Sequence, residues 1–414
     1  MSFILFPSIS SPRVSSRLLT LAFAVFGLLV TASPTAQAAP ETILYSFTGA
    51  NGDGYYPASS LIMDSAGNLY GTTVFGGESD YGTVFRLSSS GAETILHSFI
   101  GTDGNDPYGG LVMDGAGNLY GVTVLGGKNN TGTVFTISER GREMVLHSFG
   151  KKKNDGASPN SALIIDNAGD FYGTTHGGGL NNCSLGCGTV FKMSPTGRET
   201  ILYRFGKTNN DGFWPDATLI MDAEGNLYGT TSKGGANDEG TIFKLSPAGV
   251  ETVLYSFTGA NGDGANPVAG LVMDGAGNLY GTTSNGGSNS CDDGCGTVFE
   301  LSASGIETIL YSFPGRNGFG ASPQGSLIMD NAGNLYGTTF NGGSDDCSGI
   351  GCGTVFKLSP SGDETILHAF TGYPDGDGSN PSGSLLLDNA GHLFGTTQGG
   401  GATGYGSVFQ VTLP

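Results

Sequence analysis

The sequence predicts an all-β fold: a seven-bladed β-propeller, four antiparallel strands per blade, its ring closed by strands from both termini. Three observations carry that expectation. One strand-sized motif occurs seven times, as GNLYGTT from Gly67, GNLYGVT from Gly117, GDFYGTT from Gly169, GNLYGTT from Gly225, Gly277 and Gly333, and GHLFGTT from Gly391. The unit around it restarts at Glu41, Glu93, Glu143, Glu199, Glu251, Glu307 and Glu364, at intervals of 52, 50, 56, 52, 56 and 57 residues. Four short β-rich runs in such a unit, many times over, mark a propeller. The repeat is also out of phase with the blade, because it opens on an ETIL strand at Glu41 and closes on Ser407–Val411. Glu41–Phe47 is then left to complete the last blade, which leaves no open edge.

In chain order, residues 1–38 read as a secretory signal peptide and residues 39–414 as a single propeller domain. Arg13 and Arg17 are the only charges in the first 40 residues, an apolar run follows from Leu18 to Val30, and Ala36-Gln37-Ala38 fits a cleavage site. A membrane anchor is the rival reading, but the run is too short to span comfortably. Removing this segment takes away two arginines and no acid, so the net charge goes from −19 to −21. Such a protein repels nucleic acid backbones and anionic lipids. The 74 glycines recur in register with β-forming residues, so they mark tight turns and not disorder.

The first unit shows the four runs: Glu41–Phe47 (ETILYSF), Ser60–Asp64 (SLIMD), Asn68–Thr73 (NLYGTT) and Thr83–Leu87 (TVFRL). Each is strand-length and bounded by Gly, Pro, Asn or Ser. From the axis outward the expected order is SLIMD, NLYGTT, TVFRL, ETIL. Asp64 to Gly67 is a tight hairpin in which Asp64 accepts from backbone N–H groups and Gly67 takes a positive φ. Pro57, Pro107, Pro159, Pro215, Pro267, Pro323 and Pro381 stand just before the inner strands, ahead of the ladder, where proline is tolerated. Leu61, Ile62 and Met63 are apolar in succession, as a strand buried on both faces requires. A single blade cannot bury its faces alone, so the units stabilise one another.

The run L-x-M-D-x-x-G-N-L-Y-G-T-T, then G-G, then G-T-V-F-K-L-S, then G-x-E-T-x-L-Y-x-F resembles the GloVer tandem repeat of "choice-of-anchor" proteins. The resemblance covers Glu41 onward. It implies an exported bacterial repeat protein with no established activity. The chain differs from that pattern in reaching Pro414 without an apolar tail, so surface anchoring is not expected of it.

Loops before and after the NLYGTT strand fall on opposite rims. The Gly-Gly and cysteine loops share one rim with the loops of the Thr48–Pro57 type; this long-loop rim holds nearly all the length variation, where function is placed. The six cysteines form local pairs, Cys183/Cys187, Cys291/Cys295 and Cys347/Cys352, which in an exported protein read as three disulfides stiffening loops. Two thiols per loop are too few for structural zinc. Asp64, Asp114, Asp166, Asp222, Asp274, Asp330 and Asp388 read as turn caps. The N-G-D-G type loops (Asn51–Gly54, Asn261–Gly264, Asp375–Gly378) resemble fragments of a calcium loop but lack its first ligand and closing Glu, so calcium is the alternative to plain turns. No other cofactor and no metal-ligand set is expected. His97, His147 and His368 take the Tyr position of the ETILYSF strand, and His392 replaces a turn Asn. Only His176 breaks a loop pattern, with no partner carboxylate or serine in motif context.

Aromatic residues are the stronger lead. Tyr55-Tyr56 and Phe213-Trp214 directly precede their prolines, with Tyr108 and Phe75 on the same rim. Exposed aromatics beside Asn and Asp suit a sugar or peptide, whereas packing over loop glycines is the bland alternative. The positions after each Thr-Thr step (Val74, Val124, His176, Ser232, Ser284, Phe340, Gln398) hold no metal-ligand cluster, unlike propeller lactonases and lyases. The expectation is an exported, monomeric, non-catalytic propeller that binds a glycan or protein at Tyr55, Tyr56, Phe75, Tyr108, His176, Phe213 and Trp214. A lactonase-like enzyme and a purely structural envelope module are the alternatives.

Overall fold

The computed structural model describes residues 41–413 apart from 209, 288–290, 292, 293, 316, 317, 345, 346, 348, 375 and 376. The signal peptide assigned to residues 1–38 lies outside the described residues. Seven antiparallel four-stranded sheets form the blades of a propeller. Blade 1 runs from the axis outward as Ile62–Met63, Leu69–Thr73, Thr83–Leu87 and Glu93–Ser98. Blades 2 to 6 repeat that order, ending on Glu143–Ser148, Glu199–Arg204, Glu251–Ser256, Glu307–Ser312 and Glu364–Ala369. Blade 7 takes Leu386–Leu387, His392–Thr397 and Ser407–Thr412, then borrows Glu41–Ser46 as its outer strand, with Glu41 opposite Val411 and Ser46 opposite Ser407. The phase offset of the repeat is thus the closure of the ring.

The innermost strands are shorter than SLIMD predicts, two residues instead of five. Near the axis the chain bonds sideways: the Ser384 N–H donates to Ser60 Oγ at 2.9 Å and Ser382 Oγ to the Ala58 carbonyl at 3.2 Å. Ser60 therefore joins the neighbouring blade, while Ser59 does both: its carbonyl accepts Thr396 Oγ1 of blade 7 at 2.9 Å and its hydroxyl accepts the Thr72 N–H of its own blade at 3.1 Å.

Five letters of the repeated motif, Asn68, Tyr70, Gly71, Thr72 and Thr73, have specific contacts. Asp64 Oδ1 accepts the N–H groups of Ala66 and Asn68, both at 2.9 Å, while Oδ2 accepts Asn68 Nδ2 at 2.7 Å and the Tyr70 hydroxyl at 2.9 Å. The capping role expected of these aspartates holds, and the tyrosine is locked by the same carboxylate. Gly71 lies under Phe85, whose Cζ would be 2.8 Å from any Cβ there. Thr72 Oγ1 donates to the Pro107 carbonyl of the next blade at 2.7 Å, and the Thr73 and Thr83 hydroxyls pair at 2.8 Å.

Two inter-blade devices recur around the whole ring. The phenylalanine ending each outer strand meets, edge to face, the phenylalanine of the next blade's third strand. The pairs are Phe47–Phe85, Phe99–Phe135, Phe149–Phe191, Phe205–Phe243, Phe257–Phe299, Phe313–Phe356 and Phe370–Phe409, with centroids 5.1–5.3 Å apart. Such pairs add about 0.5–1.5 kcal/mol each beyond their burial. Second, Tyr56, Asp106, Ser158, Trp214, Asn266, Ser322 and Asn380, each directly before a proline, all have φ between 53° and 61°. A residue before proline ordinarily stays extended. Here two bonds overrule that preference, as at Trp214, whose N–H donates to Cys187 O at 3.0 Å while its carbonyl accepts from Ser232 N at 3.0 Å.

The three cysteine pairs are disulfides, with Cα atoms 5.1, 5.3 and 5.1 Å apart. Cys187, Cys295 and Cys352 are fully buried at the ends of their loops. Each bridge closes so short a loop that it contributes about 2 kcal/mol. Mass spectrometry of a non-reduced digest is expected to return these three links, and reduction to lower the melting temperature by a few degrees while leaving the ring folded. Unfolding on reduction alone would show that the loops, not the blades, hold the structure.

Candidate binding site on the long-loop rim

One rim consists of near-identical tight turns such as Ser65–Gly67. The other carries the long loops, stitched in pairs by two-residue ladders such as Gly54–Tyr55 with Phe75–Gly76. At its centre the segments following the prolines (58–60, 108–110, 160–162, 216–218, 268–270, 324–326 and 382–384) converge on a narrow cavity of about 100 Å³. These segments are mostly Gly, Ala and Ser, so the blades approach closely at the axis and the accessible concavity is the mouth above it.

Between blades 3 and 4 the structure assembles one polar-aromatic cluster. The His176 ring stacks on Trp214, with centroids 5.2 Å apart and planes at 19°, and Phe213 meets Trp214 edge-on at 5.1 Å. His176 Nδ1 lies 2.7 Å from Asp216 Oδ1. The same carboxylate accepts Asn160 Nδ2 and Ser232 Oγ, both at 2.9 Å. Burial disfavours the charged imidazole, but the hydrogen bond and charge of Asp216 outweigh it, so the His176 pKa is raised. Its other ring nitrogen has no partner among the described residues. Trp214 Nε1 donates to the Gly186 carbonyl at 3.2 Å, which ties the indole to the loop of the first disulfide.

Between blades 7 and 1 a second cluster forms. Tyr55 packs on Phe75 and on Tyr405, both at 5.4 Å, and Tyr56 on Phe75 at 5.7 Å. Tyr108 turns to the axis, where its hydroxyl accepts Gln398 Nε2 at 3.2 Å. The aromatics singled out in the sequence therefore fall into two groups at different blade junctions. They are half-buried, not exposed as expected, because they lie against each other and against loop backbone: a Cβ on Gly49 would sit 3.2 Å from the Tyr55 ring. The exposed large apolar side chains on this rim are Tyr81, Ile100, Leu185, Phe319, Ile350, Tyr373 and Tyr405.

Asp216 and Asn160 are the residues the sequence reading missed, and the Asp216 contact corrects the view of His176 as a histidine without a partner. Asp216 belongs to the next blade, forty residues on. The readable signal was the column directly after each proline (Ala58, Tyr108, Asn160, Asp216, Val268, Gln324, Ser382), which differs at every blade while the proline before it repeats and a small residue follows it. Asp106, before Pro107, is a further mouth carboxyl, pushed up by burial.

A separate set of clusters lies between the outer strands. His97, His147 and His368 do fill the tyrosine slot, but each meets the aspartate of the loop that follows and the glutamate that opens the next blade's outer strand. Each trio joins residues from two blades, a grouping that does not show in the linear sequence. In three of the other four blades the hydroxyls of Tyr45, Tyr203 and Tyr255 donate to Asp53, Asp211 and Asp263 at 3.2, 3.0 and 3.1 Å. In the N-G-D-G loops this aspartate faces inward and also accepts the Thr48 N–H at 2.7 Å or the Thr258 N–H at 2.8 Å. The third such loop lies partly outside the described residues.

The Gloeobacter/Verrucomicrobia repeat matches the chain over residues 25–184, 89–292 and 289–414. No curated protein matches the sequence. Among solved structures, virginiamycin B lyase from Staphylococcus aureus superposes with a TM-score of 0.59 at 12% identity, covering 91% of this chain and 100% of that one. The extracellular domain described for a hybrid two-component system of B. thetaiotaomicron gives 0.56 at 12% identity over 90% of this chain and 41% of that one. A protein described as a 6-phosphogluconolactonase from Bacteroides uniformis gives 0.50 at 16% identity over 79% and 88%. At these identities the likeness is one of fold.

Proposed function

The chain belongs to the Gloeobacter/Verrucomicrobia repeat family, and on that premise we propose that it is an exported, non-catalytic propeller that binds a glycan or protein ligand on its long-loop rim. One observation carries the reading: of the ten exposed large hydrophobic side chains among the described residues, seven are on that rim, and only Met144, Val250 and Ile306 are elsewhere. Exposed apolar groups gathered on one face serve recognition. The stacked His176–Trp214 pair, with Asp216 and Asn160 beside it, adds an apolar platform rimmed by hydrogen-bonding groups, the chemistry that a sugar face or a peptide side chain takes. The three disulfides support an oxidising, extracytoplasmic setting.

A glycan and peptide array with the purified protein is the test. Trp214 is the only tryptophan, so its emission reports one place. Ligand is expected to change that emission, and Trp214→Ala to weaken binding about ten-fold or more, the loss typical of an aromatic anchor. A ligand that leaves the emission unchanged and binds Trp214→Ala as well as wild type would place the site elsewhere.

The Asp216–His176 contact favours one second reading. A carboxylate on Nδ1 and an open Nε2 form a general-base arrangement, as an acid-base enzyme needs. Turnover of a lactone or polysaccharide by the purified protein, lost in His176→Ala, would replace binding with catalysis.

A further inference from the structure

We propose that His147, Asp155 and Glu199 form a binding site for a divalent transition-metal ion of the zinc class, set between blades 2 and 3. The three come from three segments: the outer strand Glu143–Ser148, the loop after it, and the first residue of Glu199–Arg204. One ligand atom from each lies within 4.8 Å of the others, and His147 Nε2 is 3.6 Å from Glu199 Oε2. A tetrahedral ion with bonds of about 2.0–2.2 Å holds its ligand atoms roughly 3.3–3.6 Å apart. A movement of about 1 Å in the widest pair closes the set around an ion.

Burial separates this cluster from a chance gathering of surface acids. The Glu199 side chain is 3% exposed, its Oε1 has no hydrogen-bond partner, and His147 Nε2 has none either. Asp155 is buried as well. Its carboxylate is held in place by the N–H groups of Lys151 at 3.1 Å, Lys152 at 3.4 Å and Gly156 at 3.2 Å, an orienting shell of the kind metal ligands have. In the two sister clusters the histidine is already committed, with His97 Nε2 3.0 Å from Asp103 and His368 Nε2 3.2 Å from Asp377. His147 is the one of the three that is not hydrogen-bonded to its aspartate.

One imidazole and two carboxylates suit a borderline ion, whereas calcium takes six to eight oxygens. His147 and Glu199 also line a groove of about 660 Å³ with Lys128, Lys151, Lys152 and Arg198 along it. The groove supplies an entry path, and it leaves the fourth coordination position to water or to an anion that the four cationic side chains attract.

The test uses tag-free protein stripped with a chelator, then zinc titration followed by calorimetry and by metal analysis after gel filtration. One zinc per chain is expected. His147→Tyr puts into the slot the residue found at 45, 203, 255 and 311, so the fold is kept, and it is expected to abolish binding. Glu199→Gln is expected to weaken binding ten-fold or more. His97→Tyr and His368→Tyr are expected to keep the full zinc. Wild type without saturable zinc binding overturns the proposal. So does a His147→Tyr protein, confirmed folded by its melting curve, that binds zinc as wild type does. Loss of zinc in His97→Tyr or His368→Tyr with retention in Glu199→Gln would place the ion at another cluster and equally overturn it.

Discussion

Deleting Glu41–Phe47 is expected to turn the protein from a discrete peak on size-exclusion chromatography into aggregate. This strand is the outer edge of blade 7, paired antiparallel with Ser407–Val411 from Glu41 to Ser46, with a bulge between Ile43 and Tyr45. Without it, the N–H and C=O row of that strand is bare, a template for pairing with another chain. The deletion also removes Phe47, which is fully buried and packs with Leu61, Leu69, Phe85, Leu87, Phe394 and Val408. The hold of blade 7 on blade 1 is then weakened, because the Phe47–Phe85 contact is lost and the junction keeps only its other links, such as Ser384–Ser60, Ser382–Ala58 and Tyr55–Tyr405. The single substitution Phe47→Ala isolates that part of the effect and is expected to cost about 3–5 kcal/mol. Chemical denaturation of Phe47→Ala and chromatography of the deletion are the measurements. A monomeric deletion with the melting temperature of the intact chain would mean that the ring closes in some other way.

The parts of this structure that were legible in the sequence are those built inside one repeat. Asp64, Asn68 and Tyr70 sit within seven residues, so their turn could be read from spacing and side-chain chemistry. The cysteine pairs are four or five residues apart and could be paired by proximity. The strand that closes the ring was legible too, because a repeat cut out of phase must lend its first strand to its last blade. What escaped is built between repeats. Trp214 at positive φ is held by one bond to blade 3 and one to its own blade, and nothing in Phe-Trp-Pro announces either. The partner of His176 is forty residues away, and that of His147 is the opening glutamate of the next blade. A repeated sequence shows what each unit keeps. The contacts that distinguish one junction from another are made by pairs of variable positions, and only the assembled ring shows which positions pair.

Raising the pH from 5 to 8 is expected to lower the melting temperature by roughly 5 °C or more, a direction set by the glutamates that open the outer strands. Burial, with Asp53 nearby, pushes Glu93 up to about 7. Burial, then Asp211, pushes Glu251 up to about 7 against the hydroxyl of Tyr203 and the charge of Lys207. Burial, then Asp263, does the same to Glu307, opposed by the Tyr255 hydroxyl, and burial does it to Glu364 beside Tyr311. Each of the four has one carboxylate oxygen buried without a partner. Below the ordinary glutamate value both folded and unfolded chains carry the proton. Between about pH 4.5 and 7 the unfolded chain gives it up while the folded chain keeps it, so stability falls through that window and levels off above it. His176, whose pKa is raised, adds a loss in the same direction near neutrality, and His147, whose pKa is lowered, a gain in the opposite direction. The turn aspartates such as Asp64 have lowered values and act only at more acidic pH. Partial exposure screens each glutamate, so the sum is smaller than four full shifts. The measurement is thermal melting in chelator-containing buffer at pH 5, 6, 7 and 8, on wild type and on the combined Glu93→Gln, Glu251→Gln, Glu307→Gln, Glu364→Gln protein. The variant is expected to fall less steeply than wild type, since an amide fills the same space without titrating, while Glu41, Glu143 and Glu199, also raised by burial, keep the rest of the slope. A wild-type melting temperature that is level or rises with pH, or a variant that falls as steeply, would show that these carboxyls reach water and are ionised in the folded ring.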